Sequence, residues 1–312
     1  ITVNVTNVND NSPVFTSSAT FSAAENQTAI DTVTATDADG DDVTFKVSGS
    51  ELAITSTGVL TFASAPDYET KSSYTATVTA TDGTNSTTQD ITVNVTDVND
   101  VPVFTSGSIF SAAENQTAIG TVTATDDEGE GVTFTVYGSE LAITLAGVLT
   151  FASAPDYETK SSYTATVTAS DDTNSTSQEI TVNITDVNEV PVFTSSATFN
   201  AAENQTAIDT VTATDADGDS VTFTVSGSEL AITTAGVLTF VSAPDFETKK
   251  LYKATVTASD GTNTADQTIK VKVTDANDNS PSFTSEATFS AAENQTAIGT
   301  VAATDADGDS VT

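Results

Sequence analysis

Cysteine, methionine, tryptophan and histidine are all absent from this chain of 312 residues. Without cysteine no disulfide can staple it, so rigidity outside a cell must come from elsewhere. Basic residues are scarce: 8 face 44 acids, for a formal charge of -36. Phosphate recognition needs lysine and arginine clusters, and none is read in the chain, so nucleic acid is not expected as a partner. Anionic membrane surfaces are disfavoured for the same reason. No apolar run approaches the ~20 residues of a membrane helix, so direct membrane insertion is not expected. There is no signal-peptide pattern, and the first residue is not methionine.

What is present is repetition. The segment Ala24-Glu25-Asn26-Gln27-Thr28-Ala29-Ile30 returns at 113–119, 202–208 and 292–298, at steps of 89, 89 and 90 residues. The period predicts a tandem array: 1–10 the end of a preceding repeat, 11–100, 101–189 and 190–278 three full repeats, 279–312 the start of another. Ile1-Thr2-Val3-Asn4-Val5-Thr6 matches the module end at 91–96, and the chain stops in mid-module, so a window from a longer protein is expected. About 90 residues suit an immunoglobulin-like sandwich with a modest core.

Alternation dominates each unit. Ser162-Tyr163-Thr164-Ala165-Thr166-Val167-Thr168-Ala169 puts Tyr, Ala and Val on one face and Ser and Thr on the other. Further strands are expected at 110–112, 120–125, 132–137, 140–144, 148–151 and 180–184. Gly, Asp, Asn and Pro clusters separate them. No helical stripe exists. Some seven short strands predict an all-β antiparallel Greek-key sandwich. Its core should hold Phe104, Val122, Phe134, Leu141, Ile143, Leu149, Phe151, Tyr163, Val167, Ile180 and Val182.

Several acids recur at fixed places, mostly beside turns. Turn propensity accounts for Asp37-Ala38-Asp39-Gly40 but not for Glu25 or Glu69. Asp67 and Glu69 are two apart, so an extended chain puts them on one face. A solvated acidic surface suited to a saline habitat accounts for the charge but not for its fixed placement. Oxygen-only clusters without histidine or cysteine suit a hard cation taking 6–8 oxygens.

At these residues the sequence resembles a known family. Asn9-Asp10-Asn11-Ser12-Pro13-Val14-Phe15 is similar to the Asp-x-Asn-Asp-Asn-x-Pro-x-Phe linker of cadherin repeats. Glu-Asn, Asp-x-Asp, Asp-x-Glu and Ala-x-Asp-Gly follow in family order across the whole chain. The near-identical, Thr-rich units resemble the cadherin-like arrays of large prokaryotic surface adhesins. The resemblance implies Ca²⁺ between successive modules. The first joint would use Glu25, Asp67, Glu69, Asn99, Asp100, Asp126, Glu128 and Asp171. The next would use Glu114, Asp156, Glu158, Asn188, Glu189, Asp215, Asp217 and Asp260. The last would use Glu203, Asp245, Glu247, Asn277, Asp278, Asn279, Asp305 and Asp307. Asn9, Asp10, Asn11, Asp37, Asp39 and Asp82 form half of a further joint. Asp97, Asp186 and Asp275 head the linkers. The two inner linkers are one residue shorter and lack the second Asn, present as Asn11 and Asn279. Glu128 also stands where other modules have Asp. One weaker ion position is therefore expected at the joint after module one.

Three functions compete. The first is a calcium-rigidified spacer, stalk or fibre of an extracellular, cell-surface adhesin, built of neighbouring repeats. The second is a direct adhesive array binding surface glycans or other copies of itself. A binding surface should differ from its scaffold, and these modules hardly differ. An enzyme is not expected: paired carboxylates can mimic a glycosidase, but they recur in every unit. The Asn-Gln-Thr, Asn85-Ser86-Thr87 and Asn94-Val95-Thr96 sequons are common by chance in Thr-rich strands.

Overall fold

The computed structural model describes residues 1–312 as strands and turns, with no helix. Module one shows the pattern. Its strands are β1 (Val14–Phe15), β2 (Thr20–Ala24), β3 (Ala29–Thr32), β4 (Ala35–Thr36), β5 (Thr44–Val47), β6 (Leu52–Ile54), β7 (Val59–Phe62), β8 (Ser73–Thr81) and β9 (Ser86–Thr96). One sheet runs β2-β9-β8-β5, the other β3-β7-β6, and β1 pairs with β4 as a short ribbon. Threonines face solvent along β8 and β9 because they alternate with Val78, Ala80, Ile91, Val93 and Val95, all buried. β-Branched residues fit such half-buried pleats.

The sandwich departs from the sequence reading in three places. β2 lies parallel to β9, Thr20 opposite Thr92 and Ala24 opposite Thr96, so the sheets are not wholly antiparallel. The chain changes sheets between β1 and β2 and then runs beside the last strand in its direction. The single strand expected at 120–125 is two, Ala118–Thr121 and Ala124–Thr125, because Val122 turns fully inward and donates its N–H to Gly147 at 2.9 Å. The strand expected at 180–184 extends over Ser175–Thr185, paired along its length with Ser162–Ser170.

Each module has its own core. In module one Phe21, Val33, Phe45, Leu52, Leu60, Phe62, Val78, Ile91 and Val93 pack together, with Phe15, Ile54, Tyr68 and Tyr74 at the margin. Burying one such leucine stabilises by about 1.5–3 kcal/mol. Of the expected core of module two, Phe104, Ile143 and Tyr163 are only partly buried and the rest are buried. Phe151 and Tyr163 meet edge to face at 5.2 Å. The core of module three repeats the first from Phe199 to Val273.

Two compact units divide the chain. The first comprises 1–155 with 162–184, the second 156–161 with 185–312. Modules one and two fall almost wholly in the first, and module three with the residues after it in the second.

Gly58 shows how tightly the β6–β7 turn is seated. Its φ is +93°, and a Cβ there would lie 2.1 Å from the carbonyl oxygen of Val33. Gly49 has a similar φ, +82°, but open space around it. Gly49→Ala should cost about 1–2 kcal/mol, the left-handed penalty alone. Gly58→Ala adds a backbone collision to that penalty and should cost at least twice as much. Urea unfolding of the two variants measures the difference, and equal midpoints would contradict it.

Candidate metal sites at the module joints

The joint between modules one and two starts from a buried acid. Glu25 directly follows β2 and is 3% exposed. Its Oε2 accepts the N–H of Tyr68 at 2.7 Å and its Oε1 the N–H of Val98 at 2.8 Å. One carboxylate thus ties the 67–70 turn to the linker. Asn26 follows with φ 61°, a conformation Asn tolerates, and its Nδ2 donates to Asp100 at 2.8 Å.

Glu25, Glu69, Asp97 and Glu128 then converge, with carboxylate oxygens all within 4.8 Å of one another. Like charges at 5 Å repel by roughly 3 kcal/mol at an effective dielectric near 20. The acidities reflect this. Glu69 is held above the ordinary value by desolvation and by the charges of Glu25, Asp97 and Asp67. Glu128 is raised by desolvation and by the neighbouring charge of Asp126. In the second unit Glu247 is raised by desolvation and by Glu203, Asp275 and Asp307.

The linker itself is held by the lower module. The backbone N–H of Asp100 donates to Glu128 at 3.1 Å, and Asn99 Nδ2 donates to Asp171 at 3.1 Å. Asp171 Oδ1 accepts N–H groups from Thr173 and Asn174, which lowers its pKa. Asn174 Nδ2 reaches back to the carbonyl oxygens of Asn99 and Asp100 at 2.8 and 3.3 Å.

The pattern recurs within the second unit. Glu189 N–H donates to Asp217, Asn188 to Asp260, and Asn263 to the carbonyl of Asn188. Glu158, Glu189 and Asp217 cluster, as do Glu203, Glu247 and Asp275. Glu203 accepts from Phe246 and Ala276 as Glu25 does from Tyr68 and Val98. Asn204 donates to Asp278, and Asn277 to Asp309. Asn279 donates through its backbone and side chain to Asp307, whose own N–H donates to Asp305. At the chain start Asp39 accepts N–H groups of Asp10 and Asn11, Asp37 accepts that of Asp39, and Asn85 donates to Asn9 beside Asp82. Glu114 is buried at 3% like Glu25.

Two sets of acids differ in their surroundings. Asp67 spends both oxygens on Thr70, which donates N–H and O–H at 2.9 Å, so it caps its own turn. Asp245 does the same with Thr248, and Asp156 accepts the N–H of Thr159. Asp97 and Asp275, in contrast, sit inside the clusters. Residue-by-residue reading missed the linker clamps Asn85, Asn174 and Asn263. Their signal was available: they recur at 89-residue steps, each three after an acid.

The donor set fits a hard cation. Asp37 Oδ2, Asp82 Oδ2, Asp126 Oδ2, Glu128 Oε2, Asp215 Oδ2 and Asp217 Oδ1 are buried without a hydrogen-bond partner. Buried polar atoms are ordinarily paired, and these six all lie at the joint-facing edges. Every nearby donor is oxygen, the chemistry of calcium or magnesium and not of zinc or copper.

No family model matches the sequence. The Drosophila melanogaster protocadherin-like wing polarity protein stan is 30% identical over 92% of this chain. Human protocadherin Fat 4 is 32% identical over 91%. The extracellular domain of protocadherin gammaB4 superposes with TM-score 0.56 and 27% identity, covering 97% of this chain and 57% of that one. Protocadherin gammaB7 domains EC3-6 superpose with TM-score 0.57 and 25% identity, over 95% and 84% of the two chains. These are cadherin-like repeats. They are extracellular modules by the same likeness, and the relatives are named as cadherins and protocadherins, not as enzymes. The chain spans only 9% and 7% of the two curated relatives.

Two predictions follow from the metal-free geometry. Glu25→Ala leaves two buried N–H groups unpaired, so it should destabilise module one by about 2–4 kcal/mol even without metal. Thermal unfolding of metal-stripped protein checks this, and an unchanged midpoint would contradict it. The second concerns pH. Glu69, Glu128 and Glu247 have raised folded values, so their contribution is fully present below 4.5 and is lost as pH rises through those values. Asp39, Asp82, Asp171 and Asp307 are lowered, so theirs is present above 3.8 and is lost as pH falls. Metal-stripped protein should be most stable at about pH 4, where both contributions overlap. A midpoint that climbs steadily from there to neutrality would refute it.

Proposed function

We propose that this segment is a calcium-rigidified spacer of a cell-surface adhesin, with ions at each joint. The observation that carries the reading is the set of six buried, unpaired carboxylate oxygens at the joints. At the first joint Glu25, Glu69, Asp97, Asp100, Asp126, Glu128, Asn99 and Asp171 would hold the ions. Calcium supplies positive charge that turns a repulsive cluster into a tether. Glu25 and Asn99 already fix the linker, so the ion would complete a joint whose parts are positioned. Asp67, Asp156 and Asp245 take the supporting role of turn caps unless the ion draws them away. The 11–100, 101–189 and 190–278 repeats are the units so joined.

Near-identical units suit a rod whose length changes by gain or loss of copies. Their Thr-rich uniformity and lack of cysteine support a large prokaryotic surface adhesin as the parent protein, although the relatives named above are metazoan. Direct adhesion is the second reading. The similar gammaB7 domains form a cis-dimer, which favours contact with further copies of the chain over a glycan.

Calcium should raise the unfolding midpoint and magnesium should do so poorly, because Mg²⁺ demands a tight octahedron and keeps its waters. Equal thermal shifts would sink the proposal. Glu69→Ala should lower calcium affinity while leaving each sandwich folded in chelator, since Glu69 is exposed and caps nothing. Calorimetric titration together with circular dichroism separates the two effects.

Linker length sets a further expectation. Asn11 and Asn279 donate side-chain N–H to Asp39 and Asp307. The inner linkers have no such residue, and Glu128 Oε2 and Asp217 Oδ1 stay bare. An amide that turns over could offer its oxygen to an ion at the outer joints only. The inner joints should therefore hold one ion more weakly, and identical anomalous-scattering occupancy at all joints would overturn this.

A further inference from the structure

Module three carries a surface that the other modules lack. Five of the eight lysines lie there, at 249, 250, 253, 270 and 272. Lys249 pairs with Glu229, and Lys250 sits over the Phe246 ring at 3.9 Å. The other three point outward from one sheet face. Lys253 belongs to Leu251–Ser259, the counterpart of β8, and Lys270 and Lys272 to Thr264–Thr274, the counterpart of β9. Register sets Lys253 directly opposite Lys270, and Leu251 opposite Lys272. Thr198 and Asn200 flank the two lysines on the next strand. All six side chains alternate with core residues and face solvent. Neither row contains an acid, and none of the three lysines is ion-paired. The expectation that no lysine cluster exists is corrected here: strand pairing sets two short groups, 249–253 and 270–272, side by side.

The scaffold does not need this. At the same positions module one has Ser73, Thr75, Thr92 and Asn94, and module two has Ser162, Thr164, Thr181 and Asn183. Opposed like charges, their Cβ atoms about 5 Å apart, weaken a strand pair. Four substitutions confined to one patch, at a cost to the sheet, are the departure from scaffold that a binding surface requires. The patch is an exposed sheet face and not an enclosed cavity, which suits a macromolecular face over a small ligand. Its charge is opposite to nearly everything else on a chain of net charge -36. Modules one and two carry Asp90 and Glu179 one row from the patch, where module three has Thr268; its acid on this face, Asp266, stands two rows from Lys253 and Lys270 and accepts the hydroxyl of Thr257.

We propose that Lys253, Lys270, Lys272 and Leu251 form a docking face for the acidic surface of a second copy of this chain. Net repulsion between copies is screened beyond about 8 Å at physiological salt, so local complementarity decides the contact. The contact joins different surfaces of the two copies and so can propagate from copy to copy. It does not depend on calcium at the joints.

Sedimentation velocity on the whole chain at saturating calcium tests it, comparing wild type with the triple variant Lys253→Thr, Lys270→Thr, Lys272→Asn. Those residues already occupy the same sites in module one, so the fold should be kept, and circular dichroism confirms it. Wild type should self-associate, and the variant should do so at least about tenfold more weakly. Raising salt from about 0.05 to 0.5 M should weaken wild type similarly. Unchanged association in the variant overturns the proposal. So does a wild type that stays monomeric, and wild type binding only dextran sulfate would assign the face to an anionic polymer instead. Calcium-dependent stability is read separately by thermal shift, so failure of the joint reading and failure of this one are distinguishable.

Discussion

Repulsion among carboxylates is the constraint on which these joints depend. Glu25, Glu69, Asp97 and Glu128 bring four acids within 4.8 Å, and the chain supplies no arginine or lysine to offset them. Part of the charge is absorbed by N–H groups. Glu25 takes two from the backbone, Asp171 takes two more, and Asn99 and Asn174 cross-link linker and lower module. The remainder is left on Asp126, Glu128 and Glu69. The protein thus separates two roles within one cluster. Acids saturated by N–H donors hold the linker whether or not a cation is present. Acids with bare or desolvated oxygens store the repulsion that a cation would relieve.

That separation explains why the sandwiches themselves are so plain. Their cores are small and repeat residue for residue, and their outer faces are mostly threonine. A 90-residue unit can fold on such a core. Nothing in the core addresses the neighbouring module, and linkage is delegated to turns. Asp67 illustrates the cost of making turns serve this way: it shares a motif with Glu69, yet its oxygens go to Thr70. Only the second acid of the pair faces the joint without a hydrogen bond of this kind to its own turn.

Much of this was legible in the sequence. Period-two alternation gave the strands, and the 89-residue step gave the array. The parallel pairing of β2 with β9 was not legible, because alternation carries no information on strand direction. The split at Val122 was hidden because a β-branched run reads as one strand until Gly147 is known to approach it. Among the site residues, the buried glutamates were legible as acids that turn chemistry did not require. Asn85, Asn174 and Asn263 were overlooked because an Asn after Asp-x-Thr reads as turn composition; its side chain acts across some 75 residues.

Repetition within the chain serves as its own control. Where three modules agree, residue identity reflects the demands of sandwich or joint. Where one departs at several positions that strand pairing brings together, the scaffold cannot be the cause. Tyr137 and Leu145 in module two are also departures, exposed at 86% and 67%, but Tyr137 ends the strand Thr133–Tyr137 and Leu145 sits in the turn between Leu141–Ile143 and Val148–Phe151, so no strand pairing sets them side by side. Lys253, Lys270 and Lys272 share adjacent rows of one sheet. The contrast separates scattered surface drift from an assembled patch, and only the register, not the sequence spacing, reveals which is which.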